Sequence, residues 1–340
     1  MCPTTLFCFW DLQPKGILFL RKSSSRFKIK TIFTKNLSIS SSLSIIIVSY
    51  NCKEFLAEAI DSVYKFVPGS FEIIVVDNAS TDNTVDELSP KYQEVKFIAN
   101  NYNAGFSAAN NQGVAASKEQ TLLFLNPDAK LISSDLSKAL LVLETSSQAL
   151  IGPKILNPDG SLQESVIKIP GAWAVFKEAL FLTYFFKDDM AFVVKENDFA
   201  LSGACLLIPR AVFKQLGGFD ENLFWMDDVD LCYRARQNET KVVYFKDWSV
   251  THEIGVSSRK NYSSVIANQL ISKLKFFRKN NKKSDYFLSI PFIQLHIFLR
   301  IILFLFLLPF KEVFRKKWMA YLYTQRVFWR YLFVKESKLF

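Results

Sequence analysis

The sequence predicts a doubly wound α/β sheet of mostly parallel strands, set between a basic N-terminal extension and a basic, apolar helical tail. Three observations predict it. Short, strongly apolar, β-branched runs alternate with segments whose apolar residues recur at i, i+3 and i+4, the pattern of strands buried on both faces and covered by helices. Polar residues gather at the C-terminal ends of four successive strands, where the ligand of such a sheet sits. Charge is also partitioned: residues 1–42 hold 7 basic and 1 acidic residues, 43–258 hold 18 and 28, and 259–340 hold 17 and 3.

Residues 1–42 carry short apolar patches at 6–10 and 17–20, then Arg21, Lys22 and two Ser clusters. The patches are too short and in the wrong order for a secretory signal, which wants a basic start and then one apolar stretch. An amphipathic surface anchor and a poorly ordered extension both stay open. Order begins at 43–48 (LSIIIV), a buried strand, followed by a helix over 53–66 in which Phe55, Leu56, Ala59, Ile60 and Val63 share a face. A second strand over 71–76 ends at Asp77, and 80–88 opens on cap-type residues as a short helix. A strand over 95–99, a helix over 106–117 and a strand over 121–125 continue the βαβ alternation. Farther on, strands are expected over 151–156 and 199–208, with a loop-rich stretch holding Trp173 between them. A short helix over 210–216 ends at Gly217 and Gly218, and 219–230 opens a helix running to Gln237. Two strands, 241–245 and 248–251, lead into His252.

From 262 the character changes. A basic amphipathic helix is expected over 262–283, and 287–310 is nearly all apolar, broken by Gln294, His296, Arg300 and Pro309. The longest run without a polar residue, 301–310, is half of the ~20 residues a clean span needs, so spanning and interfacial readings both stay open. Arg315, Lys316 and Lys317 then precede an aromatic-rich helix. Basic, Phe-rich ends point to an anionic membrane surface, and the acidic centre argues against nucleic acid.

Composition narrows the chemistry. Half of the residues are hydrophobic and 22% charged, which excludes global disorder. The five cysteines form no C-x-x-C pair and only two His exist, so neither a disulfide framework nor a Cys/His zinc site fits. A reducing compartment does. Any metal is held mainly by oxygen, favouring Mg²⁺ or Mn²⁺. Asp77 ends a strand and Asp128 lies just past one, with Pro127 stiffening the turn before it, a placement suited to a hard cation that also binds a diphosphate, while a turn-capping role for Asp128 stays open. Asp227, Asp228 and Asp230 crowd a helix start beside Trp225, more carboxylates than capping requires, and supply a candidate general base. His252 ends a strand as a candidate ligand.

The ordered motifs SIIIVSYN (44–51), EIIVVDNASTD (72–82), NxGFSAANNQG (103–113), LFLNPD (123–128), SGACLLIPR (202–210), GGFDENLFWMDDVDLCYR (217–234) and HEIGVSS (252–258) resemble glycosyltransferase family 2. The likeness is greatest to the rhamnosyltransferase-like branch that builds bacterial surface polysaccharides such as cell wall and O-antigen. It implies a GT-A fold, a Rossmann-like doubly wound sheet over 43–258, while the charge and apolar runs of 259–340 mark that stretch as a membrane-associating region. It also implies inverting, metal-dependent transfer from a dTDP-, UDP- or GDP-linked sugar to a lipid-linked or polysaccharide acceptor at the cytoplasmic membrane face, peripheral, monotopic or with one embedded helix. Within it, Ser49, Tyr50, Asp77, Asn78 and Asp82 bind the nucleoside, and Asn103, Gly105, Phe106 and Asn110 line the donor side. Asn126 stands where the family often has the first Asp of an Asp-x-Asp, leaving Asp128, with His252, for Mg²⁺ or Mn²⁺. Ser202 and Gly203 form the floor under the donor sugar, and Trp225 packs on an acceptor ring. Asp227 and Asp228 stand where the family usually has Glu-Asp, and Asp228 is the base. Two alternatives are a nucleotidyltransferase, which usually has a Gly-rich first loop, absent at 49–53, and a non-catalytic sugar- or nucleotide-binding module on a membrane.

Overall fold

A computed structural model of the chain describes residues 42–185, 198–253 and 262–333. The expected N-terminal extension, apart from Ser42, and residues 254–258 of the last motif lie outside the described residues.

The first half follows from its apolar runs. Strand β1 (Leu43–Ser49) is buried along its whole length and pairs in parallel with β2 (Phe71–Asp77) on one side and β4 (Thr121–Leu125) on the other. Because side chains alternate across a strand, Ile45 and Ile47 meet helix α1 (Lys53–Phe66) through Leu56, Ala59, Ile60 and Val63, while Ile46 enters the core on the opposite face. Helix α2 (Thr84–Lys91) starts four residues later than expected, because 80–83 is spent on side-chain contacts to the loop after β1. Strand β3 (Lys96–Ala99) pairs with β2, and α3 (Phe106–Ala116) lies across β1 and β2. Gly113 permits this approach: a Cβ there would come within 2.5 Å of Ile46 Cγ2.

The return half is built differently. Beyond the short β5 (Ala129–Leu131) and α4 (Leu136–Thr145) come β6 (Ala149–Leu156), β7 (Val166–Lys168) and α5 (Ala172–Ala179). Helix α5 occupies part of the stretch expected to be loop, its first N–H capped by Asp285 from a distant helix at 2.8 Å. The single strand expected over 199–208 is instead β8 (Phe199–Leu201), which pairs with β7 in a separate ribbon, and β9 (Cys205–Pro209), which enters the main sheet. The turn 202–204 separates them. After α6 (Arg210–Gln215) and α7 (Asp227–Gln237), the two expected strands prove to be one, β10 (Lys241–His252), whose register shifts between Phe245 and Ser249. The eight-stranded sheet runs β3-β2-β1-β4-β9-β6-β10-β5, parallel except where β9 meets β4 and β6 and where β5 meets β10.

Helices α8 (Tyr262–Lys279), α9 (Lys283–Leu307) and α10 (Glu312–Phe333) close this side. Leu274, Phe276 and Phe277 of α8, Ile293 and Ile297 of α9, and Phe328 of α10 share one core with Phe124, Leu206 and Val229. Fully buried Asp230 of α7 accepts from Arg234 (2.7 Å) and from Lys279 of α8 (2.9 Å). Arg300 of α9 donates to the carbonyls of Ala179 and Glu178 at the end of α5 (2.7 and 2.6 Å). Helix α9 is long and apolar enough to cross a membrane, by length and composition. Phe298, Leu305, Phe306 and Phe310 are exposed, and next to them so are Lys311, Arg315 and Lys316.

Candidate active site

The C-terminal ends of β1 and β2 carry the first group of residues. Ser49 is buried at the end of β1, where its carbonyl accepts the N–H of Asn78 (2.8 Å), and Tyr50 just beyond it is exposed. Buried Asp77 accepts from the N–H (2.9 Å) and hydroxyl (2.5 Å) of Ser80. Asn78 donates to the Gly105 carbonyl (3.2 Å) and accepts from Asn100 (3.0 Å). Asp82 accepts from the Lys53 and Thr84 N–H groups and the Thr84 hydroxyl, and so pins the start of α1 to the start of α2. Asn103 accepts the Gly105 N–H (2.9 Å), and Gly105 takes φ +85° under the Phe224 ring. Two expected lining residues face inward. Asn110 is buried and donates to the Phe106 carbonyl, and the Phe106 ring packs on Phe219 with centroids 5.6 Å apart.

Beyond β4, the turn 126–128 brings a second group together. Buried Asp128 places Oδ1 3.2 Å from His252 Nε2 at the end of β10, and its carbonyl accepts the Glu253 N–H (3.0 Å). His252 Nδ1 lies 2.7 Å from Gln163 Oε1. Sequence reading missed Gln163, because only the sheet brings the turn after β6 beside the end of β10. A carboxylate beside an imidazole is a donor pair that fits Mg²⁺ or Mn²⁺. Among the described residues no third His, Cys, Asp or Glu joins it, so a cation here would take its other ligands from a diphosphate and water.

The third group lies at the start of α7, which Met226 enters with φ +70°. Asp228 Oδ2 accepts the Gly203 N–H (2.8 Å) and Oδ1 accepts the Val229 N–H (2.7 Å). Gly203 belongs to the turn 202–204, whose Ala204 carbonyl accepts the Asn126 N–H (2.9 Å), so the second and third groups share one turn. A Cβ on Gly203 would meet Asp228 Cβ at 3.3 Å, which explains the small residue under the carboxylate. Asp227 accepts a hydrogen bond from Ser107 (3.3 Å). Burial, and then the neighbouring charge of Asp228, push Asp227 up to about 7, and burial also raises Asp228. The third carboxylate of the run, Asp230, is not part of the site: it points into the core as the partner of Arg234 and Lys279. Trp225 stands exposed beside the pair.

Comparison with known proteins gives the chain's family and fold. A family model described as glycosyl transferase family 2 matches residues 44–217. The chain is 25% identical over 265 residues to a low-salt glycan biosynthesis hexosyltransferase, Agl10, of Haloferax volcanii, covering 72% of this chain and 79% of that protein. It is 25% identical over 246 residues to the N-acetylglucosaminyl-diphospho-decaprenol L-rhamnosyltransferase of Mycobacterium tuberculosis, covering 66% and 80%. Among solved structures, the mannosyltransferase PcManGT of Pyrobaculum calidifontis, in complex with GDP-Man and Mn²⁺, superposes with a TM-score of 0.54 at 14% identity, over 86% of this chain and 88% of that one. That likeness is one of fold.

Proposed function

The chain belongs to glycosyltransferase family 2 and has the GT-A fold, and from that premise we propose that it transfers a hexose, rhamnose above all, with inversion, from a nucleotide-sugar to a lipid-linked acceptor in cell-surface glycan synthesis. The observation that carries the reading is Asp228. Its carboxylate is held by two backbone N–H groups at a helix start, in a turn shared with the Asp128–His252 pair. The M. tuberculosis relative is named for rhamnosyl transfer to a diphosphate-linked polyprenol, which supports an acceptor of that class.

In this reading Tyr50 and Asp77 bind the base and Ser49, Asn78 and Asp82 frame its pocket. Asn103, Gly105 and Asn126 line the donor, with Phe106 and Asn110 behind them. Gly203 and Ser202 floor the donor sugar, and Trp225 faces the acceptor. Asp228 takes the proton of the acceptor hydroxyl as that oxygen attacks the anomeric carbon from the face opposite the leaving diphosphate. One base and one displacement give inversion. Asp227, pushed up by burial and then by the charge of Asp228, ionises less readily than an ordinary carboxyl, which limits the negative charge beside the base. Asp128 and His252 would hold Mg²⁺ or Mn²⁺, which when bound offsets the charge developing on the diphosphate.

The enzyme works at the cytoplasmic membrane face. Exposed Phe306 and Phe310, with Lys311, Arg315 and Lys316 beside them, suit an anionic leaflet. Arg300 and His296 of the same helix are buried in the protein, which favours a hairpin dipping into one leaflet over a span. On this reading catalysis belongs to 43–258 and membrane contact to the exposed face of 259–340, whose inner face completes the core of the first.

The deciding experiment measures nucleoside diphosphate release from dTDP-, UDP- and GDP-sugars, with Mg²⁺ or Mn²⁺, and with a diphosphate-linked polyprenyl sugar as acceptor. Acceptor-dependent release from one donor, lost in Asp228→Asn, is expected. Release from none of them sinks the reading. In fractionation, full-length protein should stay with membranes through a high-salt wash, and Phe306→Ser/Phe310→Ser should come free of them.

A further inference from the structure

We propose that Gln163 is a positioning residue that fixes the tautomer of His252, holding the ring proton on Nδ1 and turning a bare Nε2 lone pair toward Asp128. This rests on the reading of Asp128 and His252 as cation ligands. The argument starts from the Gln163 amide, whose orientation is set by its surroundings. Its Nε2 lies 2.9 Å from the backbone carbonyl of His252 and 2.8 Å from Asn157 Oδ1. The carbonyl can only accept, and Asn157 spends its own amide hydrogens toward Ser161 (2.9 Å), so both Gln163 N–H groups point at these two oxygens. Turning the amide over would set oxygen against oxygen at both contacts. Gln163 Oε1 is thereby committed to His252 Nδ1 at 2.7 Å, and a carbonyl oxygen there can only accept. Nδ1 must carry the hydrogen.

The backbone holds Gln163 as firmly as its side chain holds the ring. Gln163 is buried, its N–H donates to the Ile155 carbonyl at 3.0 Å, and the adjacent Leu162 bridges to Leu156 at the end of β6. The opposite ring nitrogen, in a neutral imidazole, then presents a lone pair 3.2 Å from Asp128 Oδ1. Two acceptors face each other at that distance, an arrangement that gains from a cation bound to both. Outer partners that orient a ligating imidazole are worth about 10–100-fold in metal affinity.

The test uses the full chain, labelled with ¹⁵N, at a pH above the ordinary histidine range. The sequence has two His, so long-range proton–nitrogen correlation resolves two imidazoles, and His252→Asn assigns them. The wild-type ring should show Nδ1–H with unprotonated Nε2. Gln163→Met, which keeps the bulk and loses all three polar contacts, should populate the Nε2–H form. Mn²⁺ titrated in the presence of UDP, GDP or dTDP, with free Mn²⁺ counted by electron paramagnetic resonance, should bind Gln163→Met about 10–100-fold more weakly than wild type. A wild-type ring protonated on Nε2 or on both nitrogens overturns the proposal, and so does a Gln163→Met ring that keeps the wild-type tautomer. If the tautomers behave as stated but wild type binds no Mn²⁺ with any nucleotide, the positioning role stands and the cation reading falls.

Discussion

Asp228 and Asp128 meet through one turn, 202–204, yet they are held by different means. Asp228 is gripped by main-chain N–H groups, from Gly203 and from Val229. Asp128 faces a relay of side chains, His252 and then Gln163, anchored on Asn157. A carboxylate held by the backbone is placed by the fold itself, and loss of a neighbouring side chain does not remove either of its donors. A carboxylate held by a relay can be retuned one residue at a time. On the proposed function, the first suits a base that must meet one acceptor hydroxyl in one geometry, and the second a ligand set that admits a cation and a diphosphate.

The largest expected effect tests the relay side. Activity in excess chelator should fall to background and return with Mn²⁺ or Mg²⁺, and Asp128→Ala should weaken nucleoside diphosphate binding in a direct titration. Undiminished turnover in chelator would remove the contrast between the centres. Next comes the backbone-held side. Asp228→Asn should lower kcat by about 10²–10⁴-fold with donor affinity kept, and Asp227→Asn should cost far less. The reverse ranking would move the base one residue upstream.

Gly203→Ala is a finer probe. Its Cβ would press on Asp228 at 3.3 Å, and displacing a positioned base costs about 10–10²-fold in kcat. A Gly203→Ala enzyme as fast as wild type would mean the turn does not position the base. The smallest effect is on stability. Asp227 is raised to about 7, so between the ordinary carboxyl range and that value the folded state keeps a proton the unfolded chain has lost. That contribution is complete at acid pH and disappears as pH rises through about 7. The wild-type thermal midpoint should fall across this window, and that of Asp227→Asn should fall less.

Much of the first half was legible. The strand over 43–48, the helix over 53–66 and the strand over 121–125 appear where their runs put them, because strands covered on both faces need apolar residues throughout. The return half was less legible because tertiary contacts decide its elements. Helix α5 takes its cap from Asp285, more than a hundred residues away. The run 199–208 breaks at Ser202–Ala204, where Gly203 serves Asp228 and not a ladder. In the same way, spacing offered three equal carboxylates at 227–230, and only packing separates Asp230, facing Lys279, from the two in the site. Gln163 carried no local signal, since His252, which it orients, lies on a strand that meets β6 only in the sheet.

Asp230 also bears on how this enzyme can be handled at the bench. A catalytic fragment cut before α8 would lose Lys279 and Asn280, two of the donors to a carboxylate with no solvent exposure. It would also uncover the core side chains that Leu274, Phe276 and Phe277 now seal. The buried carboxylate would then keep Arg234 alone as its charged partner, and burial of a poorly compensated charge is costly. Crystallographers seeking a soluble form should therefore leave the tail attached and replace its outward Phe side chains.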